Sequence, residues 1–320
     1  MSLVEKALRK LQASGGLKSG EPRPPELPPT GVPPAPRAEV RRAVTPKPHP
    51  GRSGLGSARL VEINVPALRG HGVLPPAGEE RELAEQYRTI KRPLLRSAFQ
   101  PEAAPAPDAP SARAIMVTSA LPGDGKTFTA LNLALSMARE RDYSVVLVDA
   151  DVAKRDISGV LGLGAAAGLL DVLGDPSRPV ESVISPTNYP GLSVLPAGNF
   201  TESATELLAS ARMREVMSSL IELDPQCVIL LDSPPILLTT EAPILASLFG
   251  QVVVVVRAGQ TPQHAVLESV RIIGAGPHVS LVLNGADAAG PAGYHYGSYG
   301  FGLGYYRPAD ESGEAGDNRE

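Results

Sequence analysis

A glycine-rich segment, Ala120-Leu-Pro-Gly-Asp-Gly-Lys-Thr127, constrains the fold of this chain more than any other feature. It lies between an apolar run, RAIMVTSA, and a helical stretch, TFTALNLALSMARE. It matches G-x-x-x-x-G-K-[ST] except that Ala120 replaces the first glycine. Backbone N–H groups of such a turn surround a phosphate, and the following helix presents its positive end to it. The segment predicts a strand, a phosphate-binding turn and a helix in that order.

The rest of the chain continues this alternation of strands and helices. Apolar runs predict further strands at 144–151, 192–198, 227–233, 251–258 and 280–285, and a helical pattern covers 202–223. A run such as VVVVV, apolar on both faces, is typical of a parallel strand between two helical layers. Alternation of Val61, Ile63 and Val65 predicts an additional edge strand. We therefore predict an α/β fold with a doubly wound, mostly parallel sheet of the P-loop NTPase type.

The turn predicts a nucleotide site that includes magnesium. Gly123 and Gly125 allow the backbone to turn towards the phosphates, Lys126 reaches the outer phosphates, and the hydroxyl of Thr127 can bind Mg²⁺. The expected cofactors are ATP and Mg²⁺. The expected nucleotide-binding residues are Pro122, Gly123, Asp124, Gly125, Lys126, Thr127 and Phe128.

Three carboxylates are expected beside this turn. Asp149 and Asp151 end the second predicted strand, and Asp232 ends the strand that begins at Cys227. The carboxyl ends of parallel strands line a single crevice, so these side chains should converge on the phosphates. Their combined charge beside a triphosphate implies a cation.

Composition separates the core from the two ends of the chain. The sequence has 33 Pro and 32 Gly, and 11 of the prolines fall between Glu21 and Pro50. We predict an amphipathic helix at 1–13, a disordered tether at 14–58, a catalytic domain at 59–288 and a flexible, acidic-ended tail at 289–320. Hydrophobic residues make up 42% of the chain, which excludes a wholly disordered chain. There is one cysteine, which excludes a disulfide scaffold. The chain lacks a signal peptide, a membrane-spanning run and a nucleic-acid-binding face, which predicts a cytoplasmic protein with no nucleic-acid partner.

The motifs ALPGDGKT, LVDADVAKRD and ILLDSPP together resemble the Walker A, A′ and B motifs of the bacterial tyrosine kinases of polysaccharide export systems. The N-terminal MSLVEKALRKLQ, the EQYRTIKRPLL helix and the Tyr-rich tail look like the exosortase-associated tyrosine autokinase subfamily. The resemblance implies an ATP-dependent protein-tyrosine kinase that phosphorylates its own C-terminal tyrosines and regulates exopolysaccharide chain length and export. It also implies a membrane activator of the chain-length-determinant (polysaccharide co-polymerase) type, a cognate tyrosine phosphatase, and a place at the inner face of the membrane reached through that activator.

The same resemblance implies a role for each motif residue. Lys126 would neutralise the outer phosphates, and Thr127, Asp151 and Asp232 would hold magnesium. Asp149 would be the base, since a tyrosine hydroxyl with a pKa near about 10 must lose its proton. The A′ motif of the family continues with arginine where this chain has Ala153, so Lys154 or Arg155 is the candidate for that contact.

Two further segments acquire a role from the resemblance. Glu85, Arg88 and Lys91, on a helix predicted at about 79–99, resemble a ring-forming E-x-x-R-x-x-R motif. The tail carries five of the eight tyrosines of the chain, and these are the expected phosphoacceptors: Tyr294, Tyr296, Tyr299, Tyr305 and Tyr306. Interleaved glycines should leave each hydroxyl free to enter the active site of a neighbouring subunit.

Two other functions remain open from the residues. An ATPase of the partitioning or cell-division type shares the fold and the paired aspartates, but it needs a lysine where this chain has Leu121. A nucleotide-gated scaffold without kinase activity is the other, and Ala120 and Ala153 are the residues that favour it. Asn284, after the last predicted strand, is a weak candidate for contact with adenine.

Overall fold

The computed structural model describes residues 60–101 and 109–286. The expected N-terminal helix (1–13), the tether (14–58) and the tyrosine-rich tail (289–320) lie outside the described residues. Within these ranges the chain forms a seven-stranded sheet with the order β3-β4-β2-β5-β1-β6-β7. All neighbouring strands are parallel except β3 and β4, which are antiparallel. The α/β fold with a mostly parallel sheet is confirmed.

The strands are β1 (Ala114–Ser119), β2 (Ser144–Asp149), β3 (Ser185–Pro186), β4 (Leu192–Leu195), β5 (Cys227–Asp232), β6 (Gln251–Arg257) and β7 (His278–Asn284). The helices are α1 (Val65–Gly70), α2 (Glu80–Phe99), α3 (Lys126–Ala138), α4 (Asp156–Val160), α5 (Leu169–Gly174), α6 (Ala204–Leu208), α7 (Ala211–Leu223), α8 (Glu241–Ala246) and α9 (Gln263–Ile273).

Two apolar layers cover the sheet. One side packs on α5 to α9, and the other packs on α1 to α4. Every residue of the three central strands β2, β5 and β1 is buried apart from the first residue of β2. Strands buried on both faces explain the continuous apolar runs in the sequence. The carboxyl edge of this rigid sheet carries the loops that form the site described below.

The predicted edge strand at residues 61–65 is wrong. Val61 forms only a single bridge to Thr187, and the chain turns into α1 at Val65. The side chain of Asn64 accepts a hydrogen bond from the N–H of Ala67 and caps this helix, while Pro66 occupies its first turn. Proline and a capping asparagine both favour a helix start, and they override the short alternation of apolar residues.

Helix α2 is attached to the core by a buried lysine. The side chains of Tyr87, Lys91, Leu94 and Leu95 face inward. Lys91 Nζ donates to the carbonyl of Ser136 at 2.6 Å and lies 2.6 Å from Glu140 Oε1. The amide of Gln251 on β6 also donates to the carbonyl of Leu94. These contacts fix α2 against α3 and the sheet.

The helix expected over 202–223 is two helices, α6 and α7. The hydroxyl of Ser210 accepts the N–H of Met213 and caps a new helix there. A serine that bonds to the backbone favours a helix start over a helix interior, which explains the break. Among the helices of the described ranges, none combines the length and the apolar character needed to cross a bilayer.

The single cysteine of the chain, Cys227, is the first residue of β5. It is buried, and burial raises the pKa of its thiol to about 11. Its side chain belongs to the apolar layer that packs on α5 to α9.

Candidate nucleotide and catalytic site

The turn between β1 and α3 has the geometry of a phosphate-binding loop. Gly123 and Gly125 adopt φ angles of 87° and 97°, a left-handed region that glycine enters without strain. Pro122 and Gly123 are exposed, whereas Lys126 and Thr127 are buried at the start of α3. The loop therefore presents backbone to a ligand at the positive end of a helix.

Side chains at the ends of β6 and β7 and in the turn after β6 hold this loop in place. Thr261 Oγ1 donates to Asp124 Oδ1 at 2.7 Å, and Asn284 Nδ2 donates to the carbonyl of Asp124 at 2.9 Å. The guanidinium of Arg257 donates to the carbonyl of Gly123 at 2.9 Å. A Cβ on Gly125 would lie 2.0 Å from Asn284 Nδ2, so only glycine fits there. We name Arg257, Thr261 and Asn284 the loop brace.

The expected convergence of the three carboxylates is present. Asp149 and Asp232 are direct neighbours across β2 and β5, and Asp232 also pairs with Val117 of β1. Asp151 follows two residues after β2, and its carboxylate reaches the lysine of the loop. All three side chains are buried at the carboxyl edge of the sheet.

Lys126 is the cation of this site. Its Nζ lies 2.6 Å from Asp151 Oδ2 and 3.5 Å from Thr127 Oγ1. Burial alone would lower the pKa of Lys126, but Asp232 and Asp151 together raise it above its usual value. The ammonium group is therefore charged, and it is paired with Asp151.

Asp149 has one bound oxygen and one free oxygen. Its Oδ2 accepts the backbone N–H of Ser158 at 2.8 Å and the hydroxyl of Ser158 at 2.6 Å. Its Oδ1 is buried and accepts no hydrogen bond in the described structure. Burial raises the pKa of Asp149 to about 6, although the Ser158 bonds oppose the shift. At neutral pH this carboxylate is mostly ionised and can accept a proton.

Asp232 has no hydrogen-bond partner on either oxygen within the described ranges. Burial raises its pKa to about 8, against the attraction of Lys126 and with repulsion from Asp149. Buried acceptors without partners are unusual, and they match the oxygen ligands that Mg²⁺ prefers.

The residues present fit a magnesium ion that is completed by nucleotide. Within the described ranges, no group of three or more His, Cys, Asp or Glu side chains is placed to hold a metal by itself. Magnesium usually takes only one or two carboxylates and completes its shell with phosphates and water. The hydroxyl of Thr127 and the carboxylates of Asp151 and Asp232 can supply the protein ligands of such an ion.

Several predicted residues do not join this cluster. Lys154 is exposed, and Arg155, at φ 51°, donates to the carbonyl of Gly198 at 3.3 Å. Neither makes a described contact with the phosphate loop. The aromatic side chain of Phe128 is half-buried and packs on the core against which α3 lies.

The proposed oligomerisation residues divide between the surface and the interior. Glu85 and Arg88 are exposed and form an ion pair at 2.5 Å, but Lys91 is only 4% exposed and is directed at α3. Lys91 therefore does not share the exposed face of Glu85 and Arg88, and the oligomerisation role of the three residues stays a prediction. Arg92, its exposed neighbour, is the cation that α2 offers to solvent at that point. The five phosphoacceptor tyrosines lie outside the described residues.

Sequence reasoning missed Ser158, Arg257 and Thr261, and it gave Asn284 only as a weak candidate for contact with adenine. In the structure the side chain of Asn284 contacts the backbone of the phosphate loop, and the contact with adenine stays a prediction. A signal was present for Arg257 and Asn284, because they end β6, the neighbour of β1, and β7, the neighbour of β6, and polar residues at strand ends commonly reach the site.

A phosphate loop at the carboxyl edge of a parallel sheet, with a buried lysine and acidic residues on the neighbouring strands, defines a P-loop NTPase. The sequence model of the ParA family, described as NUBPL iron-transfer P-loop NTPase, matches residues 111–273. EpsB of Ralstonia nicotianae is 34% identical over 197 residues, which are 60% of this chain and 25% of that protein. The tyrosine-protein kinase YwqD of Bacillus subtilis is 32% identical over 178 residues, 56% of this chain and 70% of that protein.

The chain also resembles a solved structure, the kinase domain of the Escherichia coli tyrosine kinase ETK. The TM-score is 0.56 with 26% identity, over 68% of this chain and 80% of that domain. The chain thus belongs to the ParA-type P-loop NTPases and, among them, to the family of the bacterial tyrosine-protein kinases. It spans 25% of the length of EpsB. Membership of the exosortase-associated subfamily stays a prediction.

Proposed function

We propose that the protein is an ATP-dependent, Mg²⁺-requiring tyrosine autokinase that phosphorylates its own C-terminal tyrosines. The observation that carries the proposal is the free, buried Oδ1 of Asp149, adjacent in the sheet to Asp232 and on the strand that leads to the Lys126–Asp151 pair. A phosphate loop alone supports hydrolysis or binding, but a base with one open oxygen supports removal of a proton from an acceptor. The relatives named as tyrosine-protein kinases support a phenol as that acceptor.

The proposed transfer uses few protein groups. A tyrosine hydroxyl gives its proton to Oδ1 of Asp149, and the phenolic oxygen forms a bond to the terminal phosphorus of ATP. The bond from that phosphorus to the bridging oxygen breaks, and ADP leaves with the electron pair. Lys126 offsets the negative charge on the phosphate oxygens during the transfer. The braced loop fixes the triphosphate in line with the acceptor.

Mg²⁺, when bound, supplies charge neutralisation of the outer phosphates. Thr127, Asp151 and Asp232 are the residues that would hold it. Burial of Asp232 beside Lys126 would keep that position out of bulk water and strengthen the interaction with any cation.

The proposed acceptors are Tyr294, Tyr296, Tyr299, Tyr305 and Tyr306 of a neighbouring copy in a ring. Helix α2 supports an interface between copies, because Glu85 and Arg88 are both exposed on it. Each phosphate would add about −1.5 to −2 charges beside the acidic terminus and favour dissociation of the ring. We further propose, from the family resemblance, a membrane chain-length-determinant activator, a cognate phosphatase, a position at the inner face of the membrane and a role in exopolysaccharide chain length and export.

Autophosphorylation is tested by mass spectrometry of the C-terminal peptide after incubation of the full chain with ATP and Mg²⁺. We expect phosphate on the tail tyrosines of the wild type and none with Lys126→Ala or Asp149→Asn. Asp142→Asn, an exposed aspartate before β2, is the matched control and should behave as the wild type. An unphosphorylated tail in the wild type, even with the cytoplasmic segment of a membrane activator added, would contradict the kinase proposal.

The ring is tested by sedimentation of unphosphorylated protein. A large species should disappear in Glu85→Ala/Arg88→Ala. A monomer for the wild type at all concentrations would contradict the ring and leave the kinase proposal standing.

A second candidate is an ATPase or nucleotide-gated scaffold without kinase activity. The match to the ParA family model and the absence of arginine at Ala153 favour it. Release of ADP with no phosphotyrosine would identify the ATPase. Nucleotide binding with neither product would identify the scaffold.

A further inference from the structure

Ser158 makes contacts that the proposed chemistry has not used. It lies in α4, nine residues after Asp149, and it is buried. Its backbone N–H and its hydroxyl both donate to the same atom, Oδ2 of Asp149. Its hydroxyl oxygen accepts the backbone N–H of Ala197 at 2.9 Å. All three residues are shielded from water, with exposed fractions of 0%, 1% and 0% for Asp149, Ser158 and Ala197.

The direction of these hydrogen bonds is fixed. A serine hydroxyl has one proton, and the N–H of Ala197 can only donate. The hydroxyl therefore accepts from Ala197 and directs its own proton to Asp149. The chain of donors runs from the loop after β4, through Ser158, to Oδ2 of the carboxylate.

This arrangement distinguishes the two oxygens of Asp149. Two donors on Oδ2 oppose rotation of the carboxylate and stabilise charge on that atom. Oδ1 has no partner among the described residues and retains its lone pairs for an incoming proton. The two oxygens of an ionised carboxylate are equivalent, so the Ser158 donors act by fixing the orientation of the group, with one oxygen bound and the other directed away from Ser158.

We propose that Ser158 is a positioning residue that fixes Oδ1 of Asp149 as the oxygen that receives the acceptor proton. The inference rests on the proposed function of Asp149 as a base. Ser158 itself touches neither nucleotide nor acceptor. Its hydroxyl holds the carboxylate in one orientation, and the hydrogen bond from Ala197 ties that orientation to the loop after β4.

The test measures phosphotyrosine formation and ADP release for the full chain in ATP and Mg²⁺. For Ser158→Ala we expect kcat to fall about 10- to 100-fold, because misplacement of a catalytic group costs that much. The KM for ATP and the dissociation constant for nucleotide should change less than about twofold, since Ser158 makes no described contact with the phosphate loop. Ser269→Ala is the matched control, because Ser269 is another buried helical serine and bonds only to its own helix.

A double-mutant comparison separates positioning from a merely structural role. Ser158→Ala combined with Asp149→Asn should release ADP no more slowly than Asp149→Asn alone, because both changes remove the same function. The proposal would be overturned if the rate losses of the two single variants multiply in the double variant. A kcat for Ser158→Ala within twofold of the wild type would overturn it as well. Ser158→Cys keeps the packing with a weaker donor, so it should have an intermediate kcat even if the alanine variant folds poorly.

The two readouts distinguish failure of this proposal from failure of the kinase proposal. If the wild type releases ADP without phosphotyrosine, the kinase proposal fails. The role of Ser158 is then judged by ADP release, where water gives its proton to the same oxygen. A wild type that forms neither product would overturn both proposals.

Discussion

Lys126 Nζ lies 2.6 Å from Oδ2 of Asp151. The cation that should bind phosphate is therefore already paired. A phosphate that enters must share Lys126 with this carboxylate and must approach its negative charge.

Asp151→Asn should tighten binding of ATP when no metal is present. Asp151 is buried, and two charges about 5 Å apart at an effective dielectric constant of about 20 interact by more than about 1.4 kcal/mol, so we expect removal of its charge to tighten binding about tenfold or more. The same variant should lose most of the gain in affinity that Mg²⁺ gives the wild type. Titration of a fluorescent ATP analogue in EDTA and in Mg²⁺ measures both effects. Asp142→Asn is the control, and unchanged or weaker binding of Asp151→Asn in EDTA would refute the expectation.

Asp232→Asn should remove a pH dependence of stability in the nucleotide-free protein. The pKa of Asp232 is about 8 in the folded chain and about 3.9 when unfolded. Between these values the folded state keeps a proton that the unfolded state releases, so stability falls as pH rises, by at most about 1.4 kcal/mol per unit. Asparagine keeps the shape and does not titrate.

Urea unfolding in EDTA at pH 6, 7 and 8 measures this effect. The window begins at the pKa of about 6 of Asp149, so that group contributes mainly between pH 6 and 7 and little between pH 7 and 8. Wild type and Asp142→Asn should lose stability across the window, and Asp232→Asn should lose less. Parallel pH profiles for all three proteins would show that Asp232 ionises normally.

Thr261→Val should weaken nucleotide binding without unfolding the protein. The change removes the hydrogen bond to Asp124 and the bond that the hydroxyl accepts from the N–H of Arg257. Two such bonds contribute about 1–3 kcal/mol, which predicts an affinity about 5- to 150-fold lower. Thr205→Val, on the exposed side of α6, is the control for the loss of a hydroxyl. Wild-type affinity in Thr261→Val would mean that the loop keeps its form without the brace.

Lys91→Met should lower the free energy of unfolding by about 1–3 kcal/mol. The substitution leaves the carbonyl of Ser136 without its donor and Glu140 without its cation, in a site closed by α2 and α3. Arg92→Met on the same helix is exposed and should change stability by less than about 0.5 kcal/mol. Urea unfolding of the two variants decides between a structural and a surface role. Equal, small effects would mean that Lys91 does not hold the helix.

The sequence predicts the centre of the site because topology alone brings those residues together. Asp149 and Asp232 each follow a run of buried apolar residues, and parallel strands put such ends on one edge. Lys126 and Thr127 occupy fixed positions in a motif whose geometry glycine determines. For these residues local pattern and global fold agree.

Other contacts depend on loop paths that no periodicity encodes. Thr261 reaches Asp124 only because of the turn after β6, and Ser158 reaches Asp149 only because the chain turns back through Arg155 into α4. The burial of Lys91 is different, because the sequence pattern itself indicates it. Lys91 lies four residues after Tyr87 and four before Leu95 on one helical stripe, although its charge alone favours the surface.

Cys227 is a probe for transient opening of the central sheet in the wild-type protein. It is the single cysteine, it begins β5, and its high pKa and burial protect it from thiol reagents while the sheet is closed. The strand that it starts ends at Asp232, between the strands that lead to the phosphate loop and to the base. The rate at which a thiol reagent labels the unmodified protein therefore reports how often those strands separate transiently. The decrease of that rate on addition of a nucleotide measures how much the ligand stabilises the closed sheet.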